Sequence, residues 1–110
     1  MKKIISFVGC FVYLTLFTPA VFAGEAVGNV TATGIFSNNL VAIFMTGSNN
    51  MATCAGQPGW FGFNMQDVAA KGMYATILSA KTAESTLKVV GTGACTAWPN
   101  REDVKYVEVQ

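Results

Sequence analysis

The chain contains no histidine at all, and charged residues make up only 12% of it. The first absence removes the side chain that most often acts as a general acid or base near neutral pH, and with it the usual triads built on serine or cysteine. The acid–base candidates that remain include Asp67, Glu84, Glu102, Asp103, Glu108 and a few lysines and tyrosines. No spacing among them argues for paired carboxylates across a cleft. Asp67 reads as a residue of a helix's first turn, and Glu102-Asp103 as a solvated turn. These absences point to a protein that is not an enzyme. A basic surplus is missing as well. Beyond Ala23, Lys71, Lys81, Lys88, Arg101 and Lys105 stand against Glu25, Asp67, Glu84, Glu102, Asp103 and Glu108, a net charge of about −1. A nucleic-acid partner would call for clustered Lys and Arg, so none is expected. There is no internal repeat and no low-complexity segment.

An apolar run long enough to span a membrane is also lacking. Ile4 to Phe17 is nearly uninterrupted, but it is shorter than the roughly 20 residues a spanning helix needs, and Pro19 closes it. With Lys2 and Lys3 before it and Val21-Phe22-Ala23 after it, this is the pattern of a secretory signal peptide over residues 1–23. Lipidation at Cys10 is disfavoured, because too few apolar residues precede it. Removal of the signal leaves one small domain, residues 24–110, exported to the periplasm or beyond, with no membrane span.

Export decides how the cysteines are read. Cys10 leaves with the signal, and Cys54 and Cys95 remain in an oxidising compartment. Two cysteines without histidine do not complete a usual zinc shell, so a Cys54–Cys95 disulfide is expected and no metal or cofactor. Closing a loop of this length contributes on the order of 4 kcal/mol in the chain-entropy picture.

Along the remaining chain, Val27 to Phe36 and Leu40 to Met45 suit strands, joined by turn chemistry at Ser37-Asn38-Asn39. Leu40 to Met45 is apolar on both faces. One face is assigned to the core and the other to a helix, to a neighbouring subunit or to the interior of a doubly covered sheet. Thr46 to Gly59 reads as a loop and Trp60 to Phe63 as a third strand. Asn64 and Asp67 look like the cap and first turn of a helix over Met65 to Ala83. Its inner face would be Ala69, Met73, Thr76, Ile77 and Ala80, with Gly72 on that face suggesting close packing. Tyr74 and Leu78, four residues apart, form a second apolar ridge and a candidate subunit contact. Thr86 to Thr92 and Val104 to Val109 complete a strand order β-β-β-α-β-β.

Five strands with a helix between the third and fourth is the element order of an OB-fold, a mainly β, partly open barrel. The stretch from Cys54 to Cys95 strengthens that reading. An aromatic strand, a helix ending Met-Tyr-Ala-Thr-Ile-Leu-Ser-Ala-Lys-Thr, then Leu-Lys-Val-Val-Gly-Thr-Gly-Ala-Cys resembles half of the OB-fold B subunits of bacterial AB-type toxins, in the subtilase-cytotoxin and pertussis-like group. The resemblance covers about half of the domain. It implies a ring of five subunits that grips cell-surface glycans, and no sialic-acid residue of that group is carried over to this chain.

Sugar binding on physical grounds needs an aromatic platform with amide donors beside it. Trp60 and Trp98 lie near the two cysteines in sequence, so the bridge is expected to draw their loops together. Asn49, Asn50 and Gln57 share the long loop before Trp60, and Asn100 and Arg101 follow Trp98. These seven residues form the candidate ligand surface. The blander expectation is that both tryptophans cap the barrel ends. A protein that inhibits or escorts another protein is the alternative function.

Overall fold

The computed structural model describes residues 22–110, and in it Asn29 is the point on which the architecture turns. The expected signal segment and Cys10 lie outside the described residues, apart from Phe22 and Ala23 at that segment's end. On one side of Asn29 is β1 (Glu25–Gly28), and on the other is β2 (Val30–Ile35). β3 (Leu40–Met45), β4 (Ser48–Asn50), β5 (Trp60–Asn64), helix α1 (Ala70–Ala83), β6 (Leu87–Gly91) and β7 (Glu102–Val109) follow. The seven strands form one sheet in the order β2-β3-β5-β7-β6-β1-β4. β1 and β2 thus belong to opposite parts of the sheet although a single residue separates them. The sheet can satisfy that only by curling strongly on itself, so the fold is barrel-like, a half-barrel.

Among the described residues this is a mainly β fold with one helix, but seven strands stand where five were expected. The bend at Asn29 cuts one long strand into two. Ser48–Asn50 adds a short strand on β1, in register Glu25 with Asn50 and Val27 with Ser48. Its three residues are polar and exposed, so no alternation betrays it. Two irregularities sharpen the curl. The β2–β3 register slips between Val30 and Ala32, and the β6–β7 register between Val90 and Gly91. β5 and β7 pair in parallel, Phe61 with Glu102 and Gly62 with Asp103. The expected hairpin turn is present, with Asn39 at φ 67° and the Phe36 N–H donating to the Leu40 carbonyl at 2.9 Å.

Inside the curl lie Val41, Ile43 and Met45 of β3, Phe61 and Phe63 of β5, Leu87 and Val89 of β6, and Ile77 and Ala80 of α1. Alternation explains the strand residues, and the Ile77–Ala80 spacing presents one helical face. That face packs on β2 and β7. The helix begins later than Asn64 and Asp67 suggested. Asn64 Oδ1 accepts from the Gln66 N–H at 2.9 Å in a local turn, and α1 starts after Ala69 with no side-chain cap. An Asx turn and a helix cap use the same side-chain chemistry, which is why sequence does not separate them.

Gly72 is the second correction. It is exposed, and a Cβ there would meet nothing within 4 Å, so it serves no close packing. Gly72→Ala is therefore expected to raise stability by about 0.5–1 kcal/mol, through helix propensity and a less disordered unfolded chain. Thermal unfolding checks this, and a lower midpoint would show a contact that the backbone position does not reveal. Among the described residues no helix is long and apolar enough to cross a membrane.

Cys54 and Cys95 are bonded, with their Cα atoms 6.1 Å apart. The bridge encloses β5, α1 and β6 and joins the loops on either side of them.

Candidate functional site

β3 and β5 alternate in step, so Val41 with Phe63 and Ile43 with Phe61 point into the core. The pairs Ala42 with Gly62 and Phe44 with Trp60 then face outward. A row of apolar groups on that outer face would be left bare by the sheet alone. It is covered instead by the turn Trp98–Arg101. Trp98 and Arg101 form an isolated antiparallel bridge across Pro99 and Asn100, so their side chains share one face.

The position of this turn is set by two adjacent carboxylates. Asp103 accepts hydrogen bonds from the backbone of Thr96 and Ala97 at 3.0 Å, and from the Thr96 hydroxyl. Glu102, on the opposite face of β7, is fully enclosed. Its Oε2 accepts from Gly24 N–H at 2.7 Å and Gly93 N–H at 2.9 Å, and its Oε1 from Ala52 N–H at 2.9 Å. The pair read from sequence as a solvated turn is thus a buried anchor and a loop clamp, because their partners become neighbours only in the folded sheet.

Held this way, Trp98 lies over Gly62, where a Cβ would overlap its ring. Its indole Nε1 donates to the Val41 carbonyl at 3.0 Å. Phe36 meets the Trp98 ring edge to face with centroids 5.2 Å apart, and Phe44 meets Trp60 likewise at 5.7 Å. Between these pairs sits the Arg101 guanidinium, with Cζ 4.3 Å from the Trp60 centroid, 4.5 Å from Phe44 and 5.4 Å from Trp98. All three lie within the range where a cation is drawn to an aromatic face.

Arg101 is only 9% exposed, and its Nη1 is buried with no hydrogen-bond partner among the described residues. Desolvation by burial lowers its pKa from the ordinary arginine value, but the group stays charged at neutral pH. Phe36, by contrast, is half exposed at 51%. The surface is an aromatic platform with a buried cation set into it, suited to stacking a ring, and Phe36 is its most exposed member.

Trp60, Trp98 and Arg101 of the candidate surface therefore meet in one cluster. Asn100 is exposed in the same turn, where its carbonyl accepts from the Gly56 N–H at 2.8 Å. Asn49, Asn50 and Gln57 line a shallow depression of about 300 Å³ formed by the loop before β5, and the Gln57 carbonyl accepts from the Trp60 N–H at 3.3 Å. Asn49 and Asn50 also border a second hollow with Glu25 and Val27. Phe36 and Phe44 were not singled out from sequence. The signal for Phe44 was present, in a β3 apolar on both faces, and the covering element is a turn of the same chain. Of the helix ridge, Tyr74 packs on the core cluster while Leu78 is 40% exposed. No cluster able to hold a metal is found among the described residues.

Fold and site together define a small, disulfide-stapled, barrel-like β domain with an aromatic outer face. No family model, no curated protein and no solved structure matches the chain.

Proposed function

We propose that this is an exported, non-enzymatic binding module of OB-fold type, whose ligand is a cell-surface glycan held on the outer face of β3 and β5. The single observation that carries the reading is the Arg101 guanidinium set among Phe44, Trp60 and Trp98 beside the half-exposed Phe36. Counting β1 and β2 as one bent strand and setting aside the short β4 supports the barrel type. β3 and β5 then become the second and third strands. The turn at Phe36 to Asn39 becomes the first connection and the loop through Trp98 the last. OB-folds bind oligosaccharides on that face and between those loops. Aromatic rings stack on the apolar face of a sugar, and the guanidinium held among these rings draws them into one platform. The likeness of the Cys54 to Cys95 stretch to toxin B subunits extends the proposal to a ring of five.

A glycan array probed with the oxidised domain tests the ligand. Binding to acidic or neutral glycans is expected, and Trp60→Ala should weaken it at least about tenfold, the effect of losing roughly 1.4 kcal/mol of stacking. Silence across the array would sink the glycan reading. Weight would then move to a protein that inhibits or escorts another, for which Phe36, 51% exposed on the outer face, supplies an apolar contact. Light scattering tests the ring, and a monomer at high concentration would remove it.

A further inference from the structure

Gly24 is buried, while Ala23 before it is exposed. The Gly24 nitrogen donates to Glu102 Oε2 at 2.7 Å, and its carbonyl accepts from the Gly91 N–H at 2.8 Å. No side chain fits at this position. A Cβ on Gly24 would collide with Glu102 Oε1 and would lie 2.6 Å from the Asn50 carbonyl oxygen. A Cβ on Gly91 would strike the same carboxylate from the other side. The chain thus keeps room around a fully enclosed anion whose donors, at Gly24, Ala52 and Gly93, are all backbone amides.

We propose that this cradle is a binding site for the chain's own α-ammonium group, created when the Ala23–Gly24 bond is cut during export. The proposal rests on reading residues 1–23 as a removed signal. A signal-removing protease adds one water across that amide. The hydroxyl goes to the Ala23 carbonyl carbon, which departs as a carboxylate after releasing a proton. The Gly24 nitrogen keeps the bond-breaking electron pair and gains protons until, near neutral pH, it is an ammonium.

That nitrogen already lies at the distance of a charge-assisted hydrogen bond from Glu102, a class about twice as strong as its neutral counterpart. Before the cut, a buried carboxylate is held by neutral amides alone. After it, the buried charge has a paired opposite, the condition under which such charges are tolerated. Glu102 also grips Ala52 and Gly93, each two residues before a bridged cysteine. The new terminus would therefore tighten both disulfide loops at once. The departing segment leaves from an exposed residue, so the seat needs no rearrangement.

The test compares the oxidised domain beginning at Gly24 with one beginning at Ala23, which carries the same ammonium one residue further out. The Gly24 form should melt higher, by about 5 °C for a domain of this size. Its α-amine should react with an amine-directed ester at pH 7 about tenfold more slowly. In a Glu102→Gln background the melting difference should vanish. If that variant does not fold, the labelling rates still decide. Equal melting and equal labelling of the two forms would overturn the proposal. Sequencing the exported protein examines the reading beneath it separately. A first residue other than Gly24 would remove the cut, and with it the natural occupant of the site, whatever the two purified forms show.

Discussion

Replacing Glu102 with alanine is expected to cost about 3–5 kcal/mol of folding stability, seen as a fall in the urea midpoint. Three enclosed amides, at Gly24, Ala52 and Gly93, would lose their acceptor together. Each buried unpaired donor carries a penalty of about 1–3 kcal/mol, softened where water enters the space left behind. Against a total near 5–15 kcal/mol for a domain, the loss is large enough to leave part of the population unfolded at 37 °C. Glu102→Gln should cost less, since the amide oxygen still serves the two donors on Oε2 while its NH2 faces only the Ala52 N–H. An alanine variant with an unchanged midpoint would mean that the carboxylate is not the tie it looks to be. Lys105, three residues on and exposed, is the matching control, for which little change is expected.

Removing the Cys54–Cys95 bridge, by changing both residues to serine, should lower stability by about 4 kcal/mol in the loop-entropy picture. The cysteines are 41 positions apart, and the loop they close holds most of the site's framework. The loss should therefore reach the ligand face as well as the core. Trp98 follows Cys95 by three residues and Trp60 follows Cys54 by six. Chemical denaturation with and without reductant measures the first effect, and indole fluorescence in native buffer the second. Identical midpoints in both redox states would show that the sheet holds these loops unaided.

Much of this was legible in sequence wherever the governing chemistry is local. Strands β3 and β5, the Asn39 turn and the disulfide follow from short apolar and aromatic runs, from the tolerance of asparagine for positive φ and from the two cysteines that remain beyond the expected signal segment. Trp60, Trp98 and Arg101 were found by their nearness to those cysteines. What escaped depends on partners remote in the chain. Glu102 looked solvated because its donors lie 78, 50 and 9 positions away. β4 has no apolar residue to mark it, and its strand character comes wholly from pairing with β1. Gly72 suggested a close contact on the helix's inner face, but that face turns Ile77 and Ala80 to the core and leaves Gly72 in the open.

The slip between Val30 and Ala32 reaches further than its place at the sheet's edge suggests. Before it, Ala26 and Val30 stand on the inner side of the curl, and unbroken alternation would carry every even-numbered residue inward. The extra residue shifts the strand by half a period. Ala32 and Gly34 then pair with Phe44 and Ala42 on the outer side. Phe36, next in that series, arrives beside Trp98 instead of beneath the sheet. One inserted residue near the start of β2, Thr31, whose hydroxyl donates to the Phe44 carbonyl at 3.0 Å, thus sets the phase that delivers an aromatic ring to the outer face.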